Sequence, residues 1–157
     1  MKLYLLRHGH SPVLAEAGVA SDFERPLSEA GTRSVRQAAE RLLREGAHPS
    51  LILHSPLKRA AQTALEAAAI LKPVQVEAFP PLSNAMPAEQ LFAELKARLA
   101  GFQEALAIGH QPQLGELAAH LAGRIFELRT GGIIALELGE EGARPLWSCN
   151  PTDTPIL

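Results

Sequence analysis

Short apolar runs alternate with longer amphipathic stretches along the whole chain. The apolar runs KLYLL at 2–6, SLILHS at 50–55 and ALAIGH at 105–110 predict strands, and the alternating run PVQVEAF at 73–79 predicts another. The amphipathic stretches carry apolar residues at helical spacing, and they cover residues 27–46, 55–72, 88–101 and about 112–121. The runs GGIIALEL at 131–138 and RPLWS at 144–148 predict a closing antiparallel pair of strands.

Strands and helices that alternate at this spacing predict an α/β fold. We expect a single-domain three-layer sandwich over residues 1–157, with a mostly parallel central sheet and helices on both faces. In the helix predicted at 55–72, Ser55 is the expected N-cap and Pro56 the first helical residue. The tail CNPTDTPIL at 149–157 contains two prolines, and we expect it to be irregular.

Composition and charge exclude several classes of function. Fifteen lysines and arginines face 17 aspartates and glutamates, a formal charge of −2 that argues against a nucleic-acid partner and against a polybasic membrane anchor. No apolar run approaches the roughly 20 residues that span a bilayer. Cys149 is the only cysteine, so neither an intrachain disulfide nor a cysteine zinc cluster can form. We expect a cytoplasmic protein whose anion sites, if any, are built from a few local basic residues.

Basic and titratable residues collect where the predicted strands end. The first strand ends in Arg7-His8-Gly9, Arg59 opens the helix after the second strand, and the fourth strand ends in His110. Ligands bind beyond the carboxyl ends of the parallel strands in open α/β sheets, so these side chains would converge if the strands are neighbours. Two predicted helix N-termini would add N–H groups at the same edge. The pattern predicts a site for a phosphoryl group.

These residue types suit phosphoryl chemistry. Arginines bind phosphoryl oxygens through paired hydrogen bonds and stay charged at any relevant pH. A histidine among them either donates to the anion or attacks phosphorus with a ring nitrogen. Gly9 lets the backbone pass close behind the imidazole and the anion. Taken singly, His8 is explained as an ordinary hydrogen-bonded residue and Arg59 as a solvated helix residue. Their joint placement beside the strand ends favours a functional site.

Three motifs in chain order resemble the histidine phosphatase superfamily, which has the phosphoglycerate mutase-like fold. They are LLRHG at 5–9, SPLKRAAQTA at 55–64 and IGHQP at 108–112. Among its members, the short length and RPLSEAG at 25–31 most resemble the SixA-type phosphohistidine phosphatases. The resemblance implies one histidine phosphatase domain that works without a metal or another cofactor.

The resemblance also implies roles for particular residues. His8 would be the nucleophile that becomes phosphorylated, and Arg7, Arg59 and His110 would complete the phosphate pocket.

Four further residues are expected to contact the substrate, and three of them have a plainer alternative. Gly9 would lie against the phosphoryl group, and Ser11 would donate to it or cap a turn. Arg25 would reach the substrate or form a loop salt bridge with Glu24 or Asp22. His10 would replace a proton donor, bond the substrate or line the pocket.

One departure from the family pattern concerns the proton donor. Larger members carry a glutamate near the end of the third strand. In the corresponding region here, FPPLSNAMPAEQL at 79–91, the loop has no acidic residue, because Glu77 precedes it and Glu89 follows it. An alkoxide leaving group needs a general acid, and general acid catalysis raises the rate by about 10²–10⁴-fold. An imidazole leaves more easily, so its departure depends less on such an acid. The sequence therefore favours phosphohistidine on a signalling or phosphotransfer protein as the substrate, with inorganic phosphate as the product.

Three alternatives stay open at this point. A small-molecule phosphomonoesterase or a phosphoglycerate mutase-like enzyme would take a proton from Glu89, Asp22 or His10. A non-catalytic module would bind the phosphate or phosphoprotein without turnover. A histidine metal site fits the six histidines in number only, because the two arginines would repel a cation.

Overall fold

The computed structural model describes residues 1–151 and forms strands and helices in alternation. The strands are Lys2–Arg7 (β1), Leu51–His54 (β2), Gln75–Ala78 (β3), Glu104–Gly109 (β4), Ile133–Leu138 (β5) and Ala143–Cys149 (β6). The helices are Leu14–Ala17 (α1), Glu29–Arg44 (α2), Lys58–Leu71 (α3), Ala88–Leu99 (α4) and Gln113–Ala122 (α5). Two 3₁₀ turns, Asp22–Glu24 and Pro80–Leu82, lie in the loops that follow β1 and β3.

The strands form one sheet in the order β3-β2-β4-β1-β5-β6. The first four strands of that order run parallel, whereas β5 is antiparallel to β1 and β6 is antiparallel to β5. The mostly parallel sheet and its antiparallel closing pair are therefore confirmed. Because β2, β4 and β1 are adjacent, the strand ends that carry the candidate residues lie side by side.

Helices cover both faces of the sheet and create two apolar cores. Alternate residues of β1 point to opposite faces, so Leu3 and Leu5 pack in one core while Tyr4 and Leu6 pack in the other. The first core takes buried leucines from α4 and α5, and the second takes buried alanines and leucines from α2 and α3. The three-layer architecture is confirmed.

The start of α3 differs from the sequence prediction. The helix begins at Lys58 rather than at Pro56, and its N-cap position is Leu57. The Ser55 hydroxyl accepts a hydrogen bond from the Leu57 backbone N–H (3.2 Å), and it also pairs with His110. Ser55 therefore closes the turn before the helix instead of capping its first turn.

The end of the chain was predicted to be irregular from Cys149 onward. That prediction is wrong for Cys149, the last residue of β6, which pairs with Ile133 of β5. Residues 152–157 of the predicted tail lie outside the described residues. Within residues 1–151, no helix has the length and apolarity needed to cross a membrane.

The first turn of α2 packs directly on the backbone that follows β1. A Cβ added at Gly9 would lie 2.7 Å from the Gly31 carbonyl oxygen and 2.7 Å from Val35 Cγ2. At these distances the backbone of α2 would have to move. The Ser28 hydroxyl fixes the start of α2 by accepting the Gly31 N–H (3.0 Å). Gly9 is therefore required for α2 to lie beside the end of β1.

We predict that Gly9→Ala destabilises the protein by about 1–3 kcal/mol, because overpacking forces the backbone apart. The free energy of urea unfolding measures this loss. Gly139→Ala is the matched control, since an added Cβ there meets only the Gly142 carbonyl oxygen at 3.8 Å. Equal stability of the two variants would contradict the close packing described for Gly9.

Candidate active site

The pairing of β1 with β4 brings two histidine rings together. Arg7 lies opposite Gly109 in the parallel register, and the His8 backbone N–H donates to the Gly109 carbonyl (3.0 Å). His8 and His110 each follow the last residue of their strand, so their rings emerge at the same edge of the sheet. The ring centroids are 5.0 Å apart at an interplanar angle of 54°.

The tautomer of His8 is fixed by its own main chain. The side chain is buried, and its Nδ1 lies 2.7 Å from the Gly9 carbonyl oxygen. A carbonyl can only accept, so Nδ1 carries the proton and Nε2 keeps its lone pair. Burial lowers the pKa of His8 to about 3, and the hydrogen bond to Gly9 offsets only part of this. His8 is therefore neutral at physiological pH, with Nε2 as a free base.

His110 is held by a buried serine. Its Nε2 lies 2.7 Å from the hydroxyl of Ser55, which is fully buried. Its Nδ1 is buried and has no hydrogen-bond partner among residues 1–151. Burial, followed by the charge of Arg59, lowers the pKa of His110 to about 4. An unpartnered buried nitrogen in a native fold calls for a ligand or an ordered water.

Two arginines reach the histidine pair from different elements. The Arg7 Nη1 donates to the Leu128 carbonyl (3.0 Å), and the buried Arg7 Nε has no partner within the described chain. Burial lowers the pKa of Arg7, yet a guanidinium stays protonated in proteins. The charges of Arg59 and Arg7 both lower the pKa of His8, which shows that both lie within electrostatic reach of its ring.

Arg59 enters the site from the first turn of α3 and is nearly buried. Its Nη1 donates to the Asp22 carbonyl oxygen (2.9 Å), and its Nη2 contacts the Asp22 carboxylate at 3.2 Å. A cation at this depth is expected to be paired, and Asp22 is the partner in this state. The four predicted pocket residues thus come together, with Asp22 against one of them.

Two residues of α3, Gln62 and Thr63, make hydrogen bonds around the site, and the sequence analysis did not single them out. The Thr63 hydroxyl accepts the Gly9 N–H (3.1 Å) and donates to the Arg59 carbonyl (2.7 Å). The Gln62 side chain accepts the Leu27 N–H (2.8 Å) in the loop before α2. The spacing i, i+3, i+4 places Arg59, Gln62 and Thr63 on one face of the helix. This spacing could have identified Gln62 and Thr63 from the sequence as neighbours of Arg59.

Gly9 and Ser11 both have hydrogen-bond partners within the chain. The Gly9 N–H is engaged by Thr63, and the Gly9 carbonyl by His8. The buried Ser11 hydroxyl donates to the Pro26 carbonyl (2.6 Å), which fastens the two ends of the loop together. Their contacts with a substrate stay predictions.

The predicted contacts at Arg25 and His10 also have protein partners. Arg25 forms the salt bridge with Asp22 (2.8 Å) rather than with Glu24. His10 is exposed, and its Nδ1 pairs with the Ser28 hydroxyl (2.8 Å). Substrate contacts of Arg25 and His10 stay predictions as well.

Among the residues that the structure describes, the two glutamates that flank the loop after β3 have no contact with this cluster. Glu77 on β3 makes a bidentate salt bridge with Arg98 of α4, at 2.7 and 2.8 Å. The hydrogen bond from Arg98 lowers the pKa of Glu77, which keeps the carboxylate ionised. Glu89 is exposed in the first turn of α4. Across residues 1–151, no three histidine, cysteine, aspartate or glutamate side chains are grouped so that they could hold a metal ion.

Residues 3–133 match the family model of the histidine phosphatase superfamily (branch 1). The chain belongs to this superfamily. Phosphatases of known structure share its fold, and the protein is a phosphatase. An uncharacterized protein of Picosynechococcus sp. is 37% identical in an alignment of 148 residues, and the match covers 88% of this chain and 86% of that protein.

Solved structures of two other phosphatases have the same fold. The protein histidine phosphatase SixA, in complex with tungstate, matches with a TM-score of 0.85 and 29% identity, over 94% of this chain and 96% of that one. The alpha-ribazole phosphatase from Shigella flexneri matches with a TM-score of 0.74 and 20% identity, over 92% and 94% of the two chains. At 20% identity the second likeness concerns the fold alone.

We predict that the two buried histidines make the protein less stable in acid. Each has a lower pKa when folded than the ordinary value near 6.5, so the unfolded chain takes up protons first. Stability that is complete above about pH 6.5 is therefore lost as the pH falls towards 4, by about 1 kcal/mol per pH unit for each histidine.

Urea unfolding of wild type and His8→Asn at pH 7, 5.5 and 4.5 tests this dependence. The slope of unfolding free energy against pH should be shallower in the variant, since the amide that replaces the imidazole does not titrate. An unchanged slope would show that His8 takes up protons equally in the folded and unfolded chains, which would contradict the lowered pKa.

Proposed function

We propose that the protein removes phosphoryl groups through a phosphohistidine formed on Nε2 of His8. The observation that carries the proposal is the hydrogen bond from His8 Nδ1 to the Gly9 carbonyl. It leaves the lone pair of a neutral imidazole on Nε2, near the guanidinium groups of Arg7 and Arg59. Attack by neutral nitrogen on phosphorus needs this protonation state, and the arginines offset the charge on the phosphoryl oxygens.

The reaction would proceed in two balanced steps. In the first, the Nε2 lone pair forms the nitrogen–phosphorus bond while the bond from phosphorus to the leaving group breaks, and the leaving atom keeps the electron pair. In the second, a water oxygen bonds to phosphorus and the bond to Nε2 breaks. Orthophosphate leaves, the lone pair returns to His8, and the water proton passes to phosphate or solvent. His110 would supply a hydrogen bond to the transferring group.

We further propose that the phosphoryl donor is phosphohistidine on a partner protein. The loop between Ala78 and Ala88 contains no acidic residue, and Glu77 is held as a carboxylate by Arg98. An ester would release an alkoxide, which needs a proton in the transition state. A phosphorylated imidazole releases a nitrogen base that protonates readily from solvent, so it makes a smaller demand on the site. The likeness to the SixA structure supports this choice.

Loss of the nucleophile is the first test of the mechanism. We expect His8→Asn to lose on the order of 10³-fold or more in kcat, because no other group is proposed to accept the phosphoryl group. His48→Ala is the matched control, since His48 is exposed at the opposite end of β2 and should leave the rate unchanged. EDTA should leave the wild-type rate unchanged as well.

Rapid quench with a radiolabelled substrate gives a second readout for the same variant. Wild type should carry an alkali-stable, acid-labile label that the His8→Asn variant lacks. Labelling of the variant, or full activity without His8, would contradict the mechanism.

The substrate is tested by comparing a phosphohistidine-bearing protein with phosphoglycerate and sugar phosphates. Without an acid for the ester leaving group, kcat/KM should favour phosphohistidine by about 10²-fold or more. Equal or better turnover of an ester would overturn the substrate assignment and leave the His8 mechanism in place.

A further inference from the structure

The carboxylate of Asp22 lies against a guanidinium of the phosphate pocket. Arg59 uses two of its nitrogens on this one residue, Nη1 on the Asp22 carbonyl oxygen and Nη2 on the carboxylate. Carboxylates and phosphoryl groups bind guanidinium donors with similar geometry. Asp22 therefore occupies Arg59 as an anionic ligand would.

The loop holds Asp22 in this position from the other side. Arg25 donates to the second carboxylate oxygen of Asp22 (2.8 Å) and also to the Pro12 carbonyl through Nε (2.7 Å). A further bond from Arg25 Nη2 reaches the Ser11 carbonyl (3.3 Å). The carboxylate is thus anchored between two arginines by the segment that directly follows the catalytic strand. Hydrogen bonds from Arg25 and Arg59 lower the pKa of Asp22, so the carboxylate remains charged.

The charge of Asp22 also reaches the centre of the site. It raises the pKa of His110, against the larger opposing influence of burial and Arg59. A negative charge felt by His110 is felt by any anion bound beside that ring. More than half of the Asp22 side chain is exposed, so the carboxylate is accessible to solvent and to small anions.

We propose that Asp22 is a specificity-determining residue that competes with anions for Arg59. A phosphoryl group must share or displace this carboxylate, and a substrate with a second anionic group beside phosphorus meets additional repulsion. A phosphorylated imidazole carries no such group, so Asp22 favours it over phosphoglycerate-like esters. This inference rests on the proposed function and deepens it.

An alternative role for Asp22 predicts the opposite result. If the carboxylate only positions Arg59, its loss disorders the guanidinium and weakens anion binding. If it competes, its loss frees the guanidinium and strengthens anion binding. The sign of the change in affinity therefore separates the two roles.

Asp22→Asn is the direct test, because the amide keeps the size and the hydrogen-bond acceptor while removing the charge. Binding of inorganic phosphate is measured by calorimetry, with His8→Asn as the background so that bound esters are not turned over. We expect Asp22→Asn to bind phosphate on the order of tenfold more tightly. Glu24→Gln removes an equal charge from the same 3₁₀ turn and should change the affinity less than twofold.

A pair of esters tests the discrimination itself. Glycerol 3-phosphate and 3-phosphoglycerate differ in a hydroxymethyl group against a carboxylate. The Asp22→Asn substitution should tighten binding of 3-phosphoglycerate several-fold more than binding of glycerol 3-phosphate. Unchanged or weaker phosphate binding, an equal gain for both esters, or an equal effect of Glu24→Gln would overturn the proposal. These affinities do not depend on which substrate is turned over, so failure of the phosphohistidine assignment is recognised separately in the turnover comparison.

Discussion

The parallel pairing of β1 with β4 is the constraint on which the site depends. Because Arg7 lies opposite Gly109, the residues that follow each strand, His8 and His110, emerge together. The pairing is rigid, since β1 lies between β4 and β5 and both of its faces are buried in apolar cores. The bond from the Gly131 N–H to the Arg7 carbonyl (3.0 Å) extends this order to the end of the strand. A one-residue slip would send the imidazoles to opposite faces.

Burial at this point gives the imidazoles their chemistry. Desolvation disfavours a protonated ring, and the neighbouring guanidinium groups act in the same direction on His8 and His110. The site therefore combines neutral nitrogen bases with permanent cations, which is what a phosphoryl acceptor and an anion pocket need together. The same desolvation makes the fold sensitive to acid, so the property that suits the chemistry lowers stability at low pH.

Sequence reasoning predicted those features that follow from periodicity and strand ends. The central strands were recognisable because both of their faces are covered, which gives continuous apolar runs such as Leu3–Leu6. Partners within the long loop could not be predicted, since they depend on the path of the chain in space. The sequence offered Glu24 and Asp22 as salt-bridge partners of Arg25, and in the folded chain Arg25 pairs with Asp22. The role of Ser55 was misjudged because its partner, His110, follows a different strand and is distant in sequence.

The placement of the carboxylates agrees with the proposed imidazole leaving group. Glu77 is locked to Arg98, away from the histidine pair, and Glu89 is exposed at the start of α4. Asp22 does reach the pocket, but two arginines hold it ionised, and an ionised carboxylate has no proton to give. It can only accept hydrogen bonds or repel anions. Under the proposed mechanism an anionic ester would be penalised twice, by the lack of an acid for its leaving group and by repulsion from Asp22, and a phosphorylated imidazole would meet neither penalty.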